Sequence, residues 1–129
     1  MRRFTTTVFE DFVVGATSTT PVYTATDFNK TLGAVDRLAV QVVADQVSGT
    51  TPTFTLQIEH SGDGRNWLSK AGTPEVNAQA LSTSAASVFI ASDAGTTPFL
   101  GFIRFKIFLA GTSPVAHVKV HVTGRDNGG

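Results

Sequence analysis

Apolar and polar residues alternate with a period of two along much of this chain, the signature of strands with one buried face. The pattern is plainest where Phe54, Leu56 and Ile58 alternate with Thr53, Thr55, Gln57 and Glu59. Phe4–Val14 reads as an opening strand. Its alternation slips around Phe9, Phe12 and the Val13–Val14 doublet, so a bulge or burial on both faces is expected there. Pro21–Thr26 is short and starts with a residue that cannot donate to a ladder, which puts it at a sheet edge. Asp27–Gly33 reads as a connecting turn. In Asp36–Val47, Leu38, Val40, Val42 and Ala44 alternate with Ala39, Gln41 and Val43, and the valines argue against a helix. Ser48–Pro52 has loop composition, so this strand and the one at Phe54–Ile58 are expected to stand in a hairpin-like relation.

Ser61-Gly-Asp-Gly64 supplies the next turn, since Asp-Gly adopts positive φ cheaply. Ser69–Ser87 shows no periodicity beyond a short strand around Glu75–Ala80. Val88–Ile90 is another short strand, and Ser92–Pro98 a turn-rich link. Phe99–Leu109 is apolar on both sides. Ile103, Phe105, Ile107 and Leu109 line one face, while Leu100, Phe102 and Phe108 join Arg104 and Lys106 on the other. Such a strand is central, or has its second face covered by another subunit. Ala110–Pro114 is expected to turn the chain. Ala116, Val118, Val120 and Val122 then face in, His117, Lys119 and His121 face out, and Arg125–Gly129 is a polar tail. Seven or eight short antiparallel strands with Gly and Pro turns, and no helical period, give an all-β fold. The expectation is one β-sandwich or jelly roll over residues 1–129, with residues 1–14 available as an arm that adds to a neighbour.

Composition narrows the function classes. The chain of 129 residues has no cysteine, so disulfides, thiolate nucleophiles and sulfur-based zinc sites are absent. Ten basic and ten acidic residues cancel, without the basic excess that phosphate binding requires, so a nucleic-acid partner is not expected. Charged residues make up only 16% while threonine occurs 19 times, which suits a surface packed against neighbours. Neither a secretory leader after Arg2 and Arg3 nor the ~18-residue apolar run of a membrane helix is legible.

Candidate chemistry is thin. His117 and His121 share a strand face but stand roughly 13 Å apart, too far to chelate one metal, and with His60 they read as surface histidines. Asp63 lies between two glycines without the further oxygen ligands a calcium loop needs. No nucleophile elbow or carboxylate pair is present, so no catalytic, metal or cofactor residue is assigned and an enzyme is not expected. Trp67 is open to two readings. Tryptophan is highly buried on average, which favours a plug at the end of the sandwich. Alternatively Asp63, Arg65, Asn66 and Trp67 form a glycan- or surface-binding loop, since sugars stack on aromatic faces beside polar groups.

The span Phe54–Trp67, ending in Ser61-Gly-Asp-Gly-Arg-Asn-Trp67, resembles the strand, Ser-x-Asp-Gly-x-x-Trp signature of discoidin-type (coagulation-factor C-type) β-sandwiches. Phe102–Ile107 with Ala116–Gly124 is similar to that family's closing strand pair. The chain departs from the family in lacking its cysteines and its aromatic-rich opening. In its length, missing cysteines and Thr/Ala-rich composition it looks like the small β-sandwiches of tailed bacteriophages that decorate or cement the capsid. That resemblance implies a non-enzymatic virion protein, assembled in the host cytoplasm, whose partners are its own copies and a major capsid protein. Its interface is then expected at Phe4, Val8, Phe9, Phe12, Leu100, Phe102 and Phe108. The alternatives are a glycan- or surface-binding module and a self-assembling fibre or shell subunit.

Overall fold

The computed structural model describes residues 2–15, 17–24, 35–93 and 99–126; of residues 2–4, 35, 36, 125 and 126 it describes the backbone alone. The expected turn at Asp27–Gly33, the link at 94–98 and the tail at 127–129 lie outside the described residues. Within them are β1 (Arg2–Val14), β2 (Val22–Tyr23), β3 (Val35–Ser61), β4 (Leu68–Ser69), β5 (Val76–Ala80), β6 (Ser87–Ser92) and β7 (Phe102–Asp126). All pair antiparallel in one seven-stranded sheet of order β1-β7-β3-β4, with β2 added to β7 and β5 and β6 added to β3. The fold is all-β.

The spine of the molecule is the β3–β7 pair. It runs from Val35 opposite Asp126 to Ser61 opposite Phe102. At 27 and 25 residues these strands far exceed the usual length of about 5–6. They stay paired because they bend together. The register slips three times between Asp45 and Thr53, and Gln46, Gly49, Thr51, Gly111 and Ser113 all have positive φ. On one side of the bend β1 and β6 flank the spine; on the other β2 flanks β7 and β4 and β5 flank β3. The two halves close on each other as the layers of a sandwich. Leu38, Val40, Val42, Ala116, Val118, Val120 and Val122 meet Phe54, Leu56, Ile58, Ile103, Phe105, Ile107 and Leu109 in one sealed core. Phe89 of β6 stacks on Phe54 of the opposite layer, ring centroids 6.4 Å apart.

Ser48–Pro52 and Ala110–Pro114 are therefore not chain reversals. Both belong to the spine, and Thr50 pairs with Thr112 across it. A Cβ on Gly49 would lie 2.9 Å from the backbone at Thr112–Pro114, and one on Gly111 would lie 2.7 Å from the Thr50 carbonyl oxygen. Two backbones pass here where no side chain fits. The turn-like composition of both segments records that shared bend. Elsewhere the alternation holds: the slip in β1 is a bulge at Val8, between Thr7 opposite His121 and Phe9 opposite Val120. β1 lies along β7 of its own chain, so a partner strand would meet its other edge.

Buried charges tie the layers together away from the bend. The Asp93 carboxylate accepts a hydrogen bond from the Leu38 backbone N–H at 2.7 Å and lies 3.5 Å from the Lys70 ammonium. The Lys70 backbone N–H donates to the Ile58 carbonyl at 2.9 Å, which anchors the opposite layer. The Ile58 N–H donates in turn to Glu75 Oε1 at 2.8 Å, leaving Glu75 Oε2 buried without a hydrogen-bond partner. Burial pushes the Glu75 carboxyl above its ordinary value of 4.5. Above 4.5 and up to its raised folded value, the folded chain holds more protons at this site than the unfolded chain. Its contribution to stability therefore falls as pH rises through that window and stays low beyond it. Glu75→Gln keeps the acceptor for Ile58 and removes the charge. Urea unfolding at pH 4 and pH 7 is expected to show the variant gaining on the wild type as pH rises; an unchanged difference would contradict this account of Glu75.

Candidate functional site

The outer face of the layer built on Phe102–Leu109 gathers side chains that the sequence leaves scattered. Along β7, Phe102, Arg104, Lys106 and Phe108 alternate with the sealed Ile103, Phe105, Ile107 and Leu109. Register sets Glu59 of β3 opposite Arg104, and Tyr23 of β2 opposite Lys106. β2 is held there partly by Thr24, whose backbone N–H donates to the Phe105 carbonyl and whose hydroxyl accepts from the Phe105 N–H, both at 3.0 Å.

Arg104 is the centre of this face. Its guanidinium carbon stands 3.8 Å from the centre of the Tyr23 ring and 4.3 Å from that of Trp67, and its Nε donates to Glu59 Oε1 at 2.7 Å. A cation between two π faces with a carboxylate at its edge is a rigid assembly, each cation–π contact contributing about 0.5–2 kcal/mol according to its exposure. Trp67 thus does not plug the sandwich. It is half-buried on the outside, where the Arg104 guanidinium lies over its ring. Tyr23 and Arg104 are the residues that sequence reasoning missed. The available signals were an edge strand carrying the chain's single tyrosine and a basic residue alternating with Phe105.

The turn before Trp67 is closed by its own side chains. Asp63 Oδ1 accepts from the backbone N–H groups of Arg65 and Asn66 and from the Ser61 hydroxyl, each at 2.8 Å, and Oδ2 accepts from the Asn66 amide at 2.7 Å. These bonds hold the Asp63 carboxyl well below the usual carboxylate range. Its acceptor capacity is spent inside the loop, which leaves exposed Arg65 and Asn66 as the groups a ligand would meet. The loop also lies over two apolar neighbours: a Cβ at Gly64 would stand 3.7 Å from the Phe102 ring, and one at Gly62 4.0 Å from Leu100. Leu100 and Phe102 nonetheless remain 40% and 38% exposed. Phe108 is half-buried beneath Lys106, whose ammonium is 5.8 Å from its ring centre.

The other expected interface residues lie elsewhere. Phe4 pairs with Gly124, and its side chain lies outside the described residues. Val8 and Phe9 are half-buried against their own core. Phe12 is 47% exposed and meets His117 edge-on at 5.0 Å, next to the bend, while Phe102 sits at the far end of the spine opposite Ser61. The exposed members of the expected interface thus fall at opposite ends of the sandwich, while exposed Val88 and Ile90 belong to neither end.

The histidines divide as well. His117 and His121 face outward, with His117 Nδ1 3.2 Å from Asp45 Oδ1 and His121 Nδ1 2.9 Å from the Thr7 hydroxyl. His60, expected at the surface, is buried, because β4 and the segment before β7 close over it. Its Nδ1 accepts the Leu100 N–H at 3.1 Å and its ring meets Phe99 edge-on. Burial and the nearby Lys70 ammonium lower its pKa. No group of three metal-ligating side chains occurs among the described residues.

No protein-family model matches this chain, and no curated protein does. Solved structures do. The VP2 subviral particle of infectious bursal disease virus matches with a TM-score of 0.65 at 13% identity, over 98% of this chain and 33% of that one. The xylan-binding CBM22-1 domain of Paenibacillus barcinonensis Xyn10C matches with a TM-score of 0.52 at 6% identity, over 92% of this chain and 85% of that one. A CBM22-1–GH10 xylanase 10B fragment of Clostridium thermocellum, complexed with xylohexaose, gives 0.57 at 16% identity, over 97% of this chain and 25% of that one. The chain spans about a third of the length of the VP2 chains it matches. What it shares with all three is a fold, a β-sandwich that serves in a virus particle and in a polysaccharide-binding module alike.

Proposed function

We propose that this chain is a structural subunit of a virus particle, a head decoration or cement protein that binds capsid subunits and its own copies. One observation carries the reading: in the lone subunit Phe12 and Val14 at one end, and Leu100 and Phe102 at the other, face solvent. Two different patches at opposite ends suit head-to-tail contacts, the kind that continue into a lattice. A standard interface of roughly 1,600 Å² supplies ample gross driving force, most of it consumed by lost freedom and ordering, so repeated weak contacts act through avidity. The agreement in fold with a viral particle protein over almost the whole chain supports the same reading. Light scattering at rising concentration is expected to give masses above one subunit, and antibody against the chain is expected to label virus particles. A mass of 13.6 kDa at every concentration, with no labelled particle, overturns the proposal.

The Tyr23–Arg104–Trp67 stack favours a second reading, a glycan-binding module, which the likeness to xylan-binding domains also supports. The chain has one tryptophan, so its fluorescence reports this face alone. Emission that shifts on adding xylo-oligosaccharides supports this reading. Emission indifferent to them removes it.

A further inference from the structure

The two edges of the layer that carries β1 and β6 are treated differently. On β1 the edge carries exposed Glu10 and Asp11, is broken by the bulge at Val8, and has its Phe12 N–H occupied by Asp11 Oδ1 at 2.7 Å. Charge, a bulge and local capping are the devices by which natural sheets keep foreign strands away. β6 has none of them. Ser87-Val-Phe-Ile-Ala-Ser92 is uncharged, free of proline and, among the described residues, paired only to β3, and Val88 and Ile90 are 54% and 77% exposed. The strand borders an open groove of about 290 Å³, lined by Glu75, Val76, Gln79, Val88, Phe89 and Ile90.

The backbone says what kind of group fits there. The Asp93 N–H donates to the Leu38 carbonyl, which marks 38 and 93 as a hydrogen-bonded pair. Alternation along an antiparallel ladder then makes 40/91 and 42/89 hydrogen-bonded pairs as well, and turns the N–H and C=O groups of Val88 and Ile90 away from β3. A row of outward donors and acceptors on an apolar strand fits another strand and little else.

We infer that β6 is an interface in which two copies of this chain pair antiparallel about a two-fold axis at Phe89, with Val88 of each opposite Ile90 of the other. The parity is self-consistent: the two residues with outward backbone groups face each other, so each pair exchanges two hydrogen bonds. Val88 and Ile90 already point to the same outer face, so the register gathers four exposed branched side chains, two per copy, beside Val43. No charge on the segment opposes its own copy. This contact deepens the assembly reading by naming one of its interfaces, and it lies outside the two end patches.

The test uses the absence of native cysteine. Val88→Cys and Ile90→Cys chains are oxidised separately and as an equimolar mixture. The proposed register is expected to give disulfide-linked dimer in the mixture in roughly tenfold excess over either variant alone, since only cysteines directly opposite meet the distance a disulfide needs. Ile90→Lys, at a site exposed enough to tolerate it, is expected to weaken self-association of the otherwise unaltered chain by roughly tenfold or more. Multimers that persist unchanged with Ile90→Lys, and a mixture no better than its components, overturn this interface while leaving the assembly reading standing. A wild-type chain that is monomeric throughout overturns both.

Discussion

Gly49→Ala and Gly111→Ala are each expected to lower the stability of this protein by about 2–6 kcal/mol. Both glycines sit on the bend of the spine with φ of 112° and 120°, which side chains rarely tolerate. Each would also drive its new methyl group into the partner strand, to 2.9 Å from backbone atoms at Thr112–Pro114 or to 2.7 Å from the Thr50 oxygen. Backbone strain of about 1–3 kcal/mol adds to overpacking of about 1–3 kcal/mol, against a total stability of about 5–15 kcal/mol for a domain. Gly72→Ala is the control: its φ is 83° but nothing stands within 4 Å of the added methyl. It is expected to lose only the strain component. Urea or thermal unfolding of the three variants decides the matter, and equal losses in all three would contradict the close crossing of β3 and β7.

The second large effect belongs to Asp93. Its carboxylate is the acceptor for the Leu38 N–H and the counterion of Lys70, whose side chain is 2% exposed. Arg37, at 3.4 Å with a mostly exposed side chain, adds little. Asp93→Ala strands a buried backbone donor and takes the carboxylate from a buried ammonium, which costs about 3–5 kcal/mol by analogy with other broken buried pairs. Lys70→Met/Asp93→Asn keeps an acceptor for Leu38 and removes both charges. This double variant is expected to be more stable than Asp93→Ala by most of that loss. A loss below about 1 kcal/mol for Asp93→Ala would mean that water reaches the pair.

The inner faces of the sandwich were legible wherever strict alternation met β-branched or aromatic residues, as in Phe54–Ile58 and Ala116–Val122. So were the bulge in β1 and the edge position of β2, because a slip of register and a proline are local events. The bend was not. Gly49, Thr50 and Pro52 carry the same local signals as a reversal, and what makes them a bend is the matching set at Gly111–Pro114 on a strand some 60 residues away. Trp67 misleads for a related reason. Its size argues for the core, but it lies against Arg104, which becomes its neighbour only once β3 and β7 are paired. The buried His60 likewise depends on Leu100 and Phe99, forty residues on. β6 was legible as a strand from Val88–Ile90, but its unguarded edge stands out only by contrast with β1 across the finished sheet.

Subunit packing itself can be watched by hydroxyl-radical footprinting of Phe12, Leu100 and Phe102, at dilutions where single chains prevail and in the concentrated or particle-bound protein. Protection of all three side chains in the crowded sample, with core residues such as Phe105 unchanged, is the outcome expected if neighbours cover both ends. Equal labelling in the two samples would mean that those ends stay wet, and that burial between subunits is not what this sandwich is for.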